Sequence, residues 1–309
     1  MRIGIGAGTL AGGSLDLQGQ VEEVLEMESD GFDSVWFAHI AGTDSLIAIA
    51  VAGQQTNRIE FVSGVIPIYS RQPLLMAQQA LTAHEASGGR LALGIGLAHP
   101  ETVPRMWNSA FDRPAHFMQE YLNVLLPLLR EKEVVYSGDM IITEAGLQFP
   151  EVPAPSVLLA ALAPRMLRMA GAVADGTVLW VTGEKVIRTH IAPRIKKAAE
   201  AAGHPSPRIC AALPICVTDD TAAATDRIKR NFSGYGRLVN YRRVLDIEGV
   251  EGPEGVAVVG NEAEAEEQLR NLADAGATDF FGALISISQD DTESIPRTRQ
   301  FLKGMIGKI

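Results

Sequence analysis

The stretch EFVSGVIPIYSRQPLLMAQQALTAHEASGGRLALGIG, residues Glu60–Gly96, decides the fold. It opens as a short apolar strand ending in Ser63-Gly64, followed by a loop carrying Pro67, Tyr69 and Arg71. A helix of Ala, Gln and Leu comes next, then Ser87-Gly88-Gly89-Arg90 and a second apolar strand ending in Gly94-Ile95-Gly96. This is one strand–helix–strand unit. Its first loop is rich in Gly, Pro and Arg, and loops in that position are where parallel α/β sheets bind ligands.

The same alternation continues on both sides. Strand candidates are Arg2–Gly6, Ser34–Phe37, Glu60–Gly64, Leu91–Ile95, Ser156–Ala160, Thr177–Val181, Ile209–Val217 and Asp279–Ile285. Several are apolar without alternation, as strands covered on both faces are. The segments between them have helical three-and-four spacing, such as Val21, Val24, Leu25 and Glu28, or Leu74, Leu75, Gln78 and Leu81. Thr43 or Asp44 is placed to cap the helix starting near Ser45. Eight strands, each followed by helix, in 309 residues predict a single α/β domain, a (β/α)₈ TIM barrel over residues 1–309. The competing doubly wound sheet would show a glycine fingerprint after its first strand. Gly4-Ile5-Gly6-Ala7-Gly8 matches it only in part, and Thr9–Leu17 do not open a helix directly. Two excursions interrupt the pattern, Val134–Pro155, which reads as a small hairpin, and Phe232–Val258, rich in Gly, Tyr and Arg.

Bulk properties exclude several functions. Hydrophobic residues make up 47% of the chain, enough to bury a large core, and the net charge of −10 disfavours nucleic acid or an anionic membrane as partners. No apolar run is long enough to span a bilayer, and Met1-Arg2-Ile3 enters a strand with no leader pattern. Cys210 and Cys216 are too few for a disulfide framework; buried structural thiols and a cytoplasmic location are expected.

In a barrel the informative residues follow each strand. After the second comes His39, the candidate for proton transfer because an imidazole titrates near neutrality. After the third come Gly64 and Val65, where glycine lets backbone approach a flat ligand. After the fourth come Leu97 and His99, candidates to line the substrate side. Gly94-Ile95-Gly96 lacks the third glycine of a nucleotide fingerprint. After the fifth, Ala161-Leu162-Ala163 precede Pro164 at a helix start, whose N–H groups and dipole suit a phosphate. After the sixth, Thr182, Gly183 and Lys185 offer a hydroxyl, a permissive backbone and a cation. Arg113 opens a helix and is a candidate to reach the cavity, with an ordinary surface arginine as the plain alternative. Trp36 and Trp180 read as core, and Glu262–Glu267 as a solvated helix face. No Cys/His/carboxylate spacing indicates a metal site.

These pieces, in their order, resemble the bacterial luciferase-like barrel family, and within it the branch using the deazaflavin coenzyme F420. The resemblance rests on Gly31-Phe32-Asp33-Ser34-Val35-Trp36, Ser63-Gly64-Val65 through Arg71-Gln72-Pro73, and Ser87-Gly88-Gly89-Arg90. It continues through Arg113-Pro114, Ala161 to Met166, Ala174-Asp175-Gly176 and Val258-Val259-Gly260-Asn261-Glu262. It implies an F420-dependent oxidoreductase passing a hydride between C5 of the deazaflavin and a small organic substrate. It also implies a non-proline cis bond at Gly64–Val65 behind the ring, and a cofactor phosphate on Ala161–Pro164 and Thr182–Lys185. His39 would exchange the proton or polarise the substrate. Reduced FMN with oxygen (a monooxygenase) and a silent flavin-binding barrel are the alternatives within the fold. Sugar-phosphate dehydrogenases of this branch carry Asp-His after strand two and Glu after the Gly-x-Gly. Ala38-His39 and Leu97 stand there instead, which implies a more apolar pocket for an enone, imine or other reducible carbon. Family members are commonly dimers, and an apolar face on the second and third helices would suit a homodimer.

Overall fold

The computed structural model describes residues 1–8, 16–39, 41–149 and 151–309, so all but the last two residues of the predicted non-helical run Thr9–Leu17 lie outside the described residues. Each barrel strand is a short apolar run that helix and neighbour strands cover on both sides, which explains why the sequence shows no alternation. The first half runs β1 (Arg2–Ala7), α1 (Leu17–Asp30), β2 (Ser34–Phe37), α2 (Ser45–Gly53), β3 (Glu60–Ser63), β4 (Ile66–Pro67), α3 (Pro73–Ala86), β5 (Leu91–Gly96), α4 (Thr102–Trp107) and α5 (Pro114–Arg130). The hairpin β6 (Glu133–Ser137) and β7 (Ile142–Gly146) follows, then β8 (Ser156–Ala160), α6 (Pro164–Val173) and β9 (Gly176–Trp180). The short α7 (Glu184–Val186) continues through a π turn at Ile187–Ile191 into α8 (Ala192–Ala201). The chain ends with β10 (Arg208–Val217), α9 (Thr221–Phe232), α10 (Val239–Glu248), β11 (Val258–Gly260), α11 (Glu262–Ala275), β12 (Asp279–Leu284) and α12 (Ser294–Met305).

Among the described residues, β1, β2, β3, β5, β8, β9, β10 and β12 pair in parallel, and the β9–β10 pairing closes the ring. This is the predicted (β/α)₈ barrel. The long β10 has length to spare beyond the ring, and its last residues carry β11 alongside, with Ile215 opposite Val258. Inside the barrel, Trp36 stacks on Phe281 with centroids 5.1 Å apart, and Ala92, Cys210, Ala212 and Ala283 leave room for the two rings. Outside it, a second apolar layer joins strands to helices, with Ile3, Val24, Phe61, Leu125 and Ile215 fully buried. Both cysteines are buried and free.

Charge closes the N-terminal end of the barrel. Arg208 donates to Asp279 at 2.6 Å and to Glu60 at 2.9 Å, while Arg2 reaches the same two carboxylates. Burial would raise the Asp279 carboxyl pKa, but Arg208 outweighs it and holds it low. Side-chain chemistry at this end is spent on closure, so the open chemistry lies at the opposite, C-terminal end.

The first excursion is the antiparallel hairpin, β6 on β7. The Glu120 carboxylate of α5 clamps it, accepting the backbone N–H groups of Asp139, Met140 and Ile141 at 2.8–2.9 Å. Gly138 is required there, because a Cβ would overlap that carboxylate. The second excursion contains α10, which the glycine- and arginine-rich sequence conceals. Asp44, not Thr43, caps α2, accepting from the N–H groups of Leu46 and Ile47.

Candidate active site

The centre of the C-terminal face is a break in one strand. Val62 pairs with Ala92, whereas Ile66 pairs with Ile95, so the chain between β3 and β4 carries one residue more than β5 opposite it. This is a β-bulge at Ser63-Gly64-Val65. The Gly64–Val65 peptide is cis, where the resemblance places it. Ser63 Oγ holds the bulge to its neighbour, accepting from the Gly94 N–H at 2.8 Å and donating to the Gly94 carbonyl at 3.0 Å. The Gly94-Ile95-Gly96 motif now has a packing explanation. A Cβ on Gly94 would overlap the Ser63 carbonyl, and one on Gly96 would lie 2.8 Å from the Val65 side chain and 3.1 Å from Ala160. Those glycines make room for the bulge rather than for a phosphate.

His39 follows β2. Its Nδ1 lies 3.0 Å from Ser45 Oγ, and its Nε2 lies 3.3 Å from an Arg71 guanidinium nitrogen. Arginine has only donors, and the Ser45 backbone N–H also points at Nδ1, at 3.3 Å, so donors approach both ring nitrogens. Arg71 comes from the loop after β4 and is itself fixed. It donates to Asp44 at 2.6 Å and to Gln79 at 2.9 Å, and its carbonyl accepts from the Tyr121 hydroxyl. Burial and the Arg71 charge push the His39 pKa down; Asp44 pulls it up, and loses. His39 is therefore a neutral, doubly held imidazole near pH 7. Sequence reasoning singled out His39 but not Arg71 as a site residue, although Arg71 stood in the decisive loop.

Leu97 and His99 follow β5, half-buried. The second excursion lies over them. Tyr235 meets the His99 ring edge-on at 6.3 Å and Tyr241 lies 5.9 Å away, while Trp180 at the end of β9 packs on Phe232 and Tyr235 at 5.5 and 6.0 Å. Trp180, expected in the core, is thus part of an aromatic wall at the barrel mouth. Tyr235 and Tyr241 were missed; the Tyr-rich composition of residues 232–258 was their only signal. Burial pushes both phenol pKa values up, so both stay neutral. Arg113 pairs with the exposed Asp139 of the hairpin at 3.3 Å. His116, Glu120 and Asp139 come together beside it, with His116 Nε2 2.9 Å from Glu120. Glu120 already serves three amide hydrogens, so the trio reads as a hairpin clamp.

The two loops expected to hold a phosphate differ. Ala161-Leu162-Ala163 lead into α6, whose N-cap Ala163 offers no side-chain acceptor. The amides of the first turn, at Arg165 and Met166, have no protein partner among the described residues and remain for a ligand. The loop is braced from behind: Thr177 donates to the Leu159 carbonyl at 2.8 Å, and His190 donates to the Leu162 carbonyl at 2.9 Å. At Thr182–Lys185 the corresponding amides are taken. The Glu248 carboxylate of α10 accepts from the N–H groups of Lys185 and Val186 at 3.1 and 3.0 Å, and a Cβ on Gly183 would overlap it. Thr182 is buried and donates to the Trp180 carbonyl, and Lys185 is exposed. In this conformation a carboxylate of the chain itself occupies the second expected anion site.

The C-terminal face thus carries the bulge, histidines on the loops after β2 and β5, and the uncapped N-terminus of α6. The model of the luciferase-like monooxygenase family matches residues 1–279. The chain belongs to that family. It is 28% identical over 234 residues to a Mycobacterium tuberculosis protein whose name proposes a coenzyme F420-dependent oxidoreductase, covering 69% of this chain and 66% of that relative. The chain thus spans just under two thirds of that relative's length. Among solved structures, an F420-dependent secondary alcohol dehydrogenase with an F420-acetone adduct superposes with a TM-score of 0.77 at 15% identity, covering 99% and 98% of the two chains. The oxygenating constituent of a Pseudomonas putida diketocamphane monooxygenase, in complex with FMN, superposes with a TM-score of 0.73 at 17% identity, covering 100% and 97%. At such identities the likeness of this luciferase-like barrel to both structures is one of fold. No helix of the described residues is long and apolar enough to cross a membrane.

Proposed function

We propose that this luciferase-like barrel is a coenzyme F420-dependent oxidoreductase acting on a small organic substrate. The observation that carries the reading is the Ser63–Val65 bulge with its cis peptide, together with the open first turn of α6 two strands away, after β8. These residues fit the cofactor. Glycine at positions 94 and 96 makes room for the bulge that would back the ring, and the α6 amides suit a phosphate diester. When bound, the deazaflavin supplies a hydride at C5. The chain supplies the rest. The bulge backs the ring, the α6 amides hold the anion, and Leu97 with the aromatic wall excludes water from the reacting carbon.

Leu97 and the wall of Trp180, Phe232, Tyr235 and Tyr241 favour an apolar substrate with one polarised double bond, such as an enone or imine. The name of the mycobacterial relative supports the deazaflavin reading. The FMN-bound fold neighbour supports the second reading, a reduced-FMN monooxygenase, since both cofactors join a tricyclic ring to a phosphate. Fluorescence titration with each cofactor tests the two: saturable F420 binding supports the first, and FMN binding alone replaces it with the second.

The exposed side chains Ile47 and Val51 of α2 and Leu75 of α3 lie on adjacent packed helices and support a homodimer through this face. Light scattering tests it: twice the monomer mass supports the dimer, and the monomer mass refutes it.

A further inference from the structure

Two imidazoles follow β2 and β5 at the C-terminal face, and their surroundings differ in the property a proton donor needs. His39 has no nitrogen to spare. Nε2 faces Arg71 at 3.3 Å and Nδ1 faces Ser45 Oγ at 3.0 Å. A substrate atom could take a proton from His39 only after one of those contacts breaks. A second proton on the ring would stand against the Arg71 cation. The charged groups facing His39 are Arg71, from the loop after β4, and Asp44, from its own loop; Arg71 donates to Asp44 and lies against His39.

His99 is the reverse case. Neither ring nitrogen has a hydrogen-bond partner among the described residues, and neither is closed off as a buried orphan atom. The ring is held by packing alone, between Tyr235 and Tyr241 of the second excursion. The charged and titratable groups around it are Glu101 of its own loop and those two phenols. The phenols stay neutral. Burial lowers the His99 pKa and Glu101 partly offsets this, which makes its protonated form a stronger acid than a free imidazolium. Leu97, two residues earlier, brings no carboxylate that could serve instead.

We propose that His99, and not His39, delivers the proton that completes reduction of the substrate. The proposal rests on the deazaflavin reading, in which the reduced cofactor is oxidised by two electrons and the substrate's C=X bond is reduced. The carbon gains the hydride and the π electron pair moves to X. X then takes the proton of the His99 imidazolium: the N–H bond breaks, the X–H bond forms, and the neutral ring regains a proton from solvent. His39, locked by Arg71, is a positioning residue that fixes the shape of the pocket between β2 and the bulge.

The test begins with the apoprotein, so it does not depend on the cofactor. Protein labelled with ¹⁵N-histidine is followed by two-bond ¹H–¹⁵N correlation from pH 5 to 9, with signals assigned by His39→Gln and His99→Gln. His99 is expected to titrate with a midpoint below that of a free imidazole, and His39 to hold one neutral tautomer at and above pH 7. A His39 ring that averages between its two neutral tautomers above pH 7, or a His99 ring that never titrates, overturns the proposal. F420 titration of wild type and His99→Gln gives the second reading. Equal affinities are expected; failure of the wild type to bind overturns the cofactor assignment and leaves the NMR result to be judged by itself. With reduced F420 and 2-cyclohexen-1-one as probe, His99→Gln is expected to lower kcat by about 10²–10⁴-fold. A kcat equal to wild type overturns the proposal.

Discussion

The Arg71 guanidinium lies 3.3 Å from Nε2 of His39 and sets a positive charge against protonation of the imidazole. Arg71 is nearly buried, with 8% of its side chain exposed, and its 2.6 Å pair with Asp44 keeps it in place. Arg71→Gln is therefore expected to raise the His39 titration midpoint, because burial and then the Arg71 charge depress it. Stability should respond with a defined sign. A histidine whose folded pKa is depressed stabilises the fold above its unfolded pKa, about 6.5, and that contribution is lost as pH falls through the folded value. Thermal unfolding of wild type between pH 7.5 and 5 should show this loss, and Arg71→Gln should diminish it. An unchanged midpoint for His39 in the variant would refute the lock.

Gly94 is the tightest point of the bulge. A Cβ there must displace the Ser63 carbonyl, and overpacking of this kind costs about 1–3 kcal/mol. Gly94→Ala should lower the melting temperature and weaken cofactor binding together. Gly304, exposed in the last turn of α12 with open space around it, is the control of opposite sign. Gly304→Ala should leave binding alone and stabilise by about 0.5–1 kcal/mol. Calorimetry on the pair measures both.

Glu120 holds the hairpin through three backbone amides. Burial would raise its carboxyl pKa, but those amides outweigh it and hold the pKa below 4.5. Its contribution is thus present above about pH 4.5 and lost as pH falls through the lower folded value. Glu120→Gln, which keeps the shape but not the charge, should cost about 1–3 kcal/mol at pH 7 and much less at pH 3. Denaturant titrations at the two pH values check it.

Glu248 joins the second excursion to the start of α7. Replacing it with Gln removes the charge from the acceptor of two amides, and Glu248→Ala removes the acceptor itself. Amide hydrogen exchange at Lys185 and Val186 is expected to quicken by roughly tenfold in the Ala variant, in line with about 1.4 kcal/mol of lost local stability. Exchange at the amides of β1 should not change.

The barrel was legible because strands buried on both faces leave apolar runs bounded by Gly, Asp and Ser, and no other signal was needed for Ser34–Phe37 or Ser156–Ala160. The bulge was legible only through resemblance, since Ser63-Gly64-Val65 by itself reads as an ordinary strand end. Side-chain partnerships across the chain were not legible. Arg71 and His39 are 32 residues apart and Glu248 and Lys185 are 63 apart, and only closure of the barrel brings either pair together. The loop Thr182–Lys185 therefore carried a sound phosphate signature whose amides the chain fills from within. The helix α10 that provides Glu248 was hidden in a segment whose glycines and tyrosines suggested only a loop.

The central claim is that the Ser63–Val65 bulge and the α6 N-terminus together hold a deazaflavin. Isothermal titration of the purified chain with coenzyme F420 and, separately, with FMN tests it most directly. Saturable one-to-one binding of F420, at least tenfold tighter than FMN and weakened by Gly94→Ala, is the predicted result. Binding of FMN with none of F420, or of neither, would contradict the account.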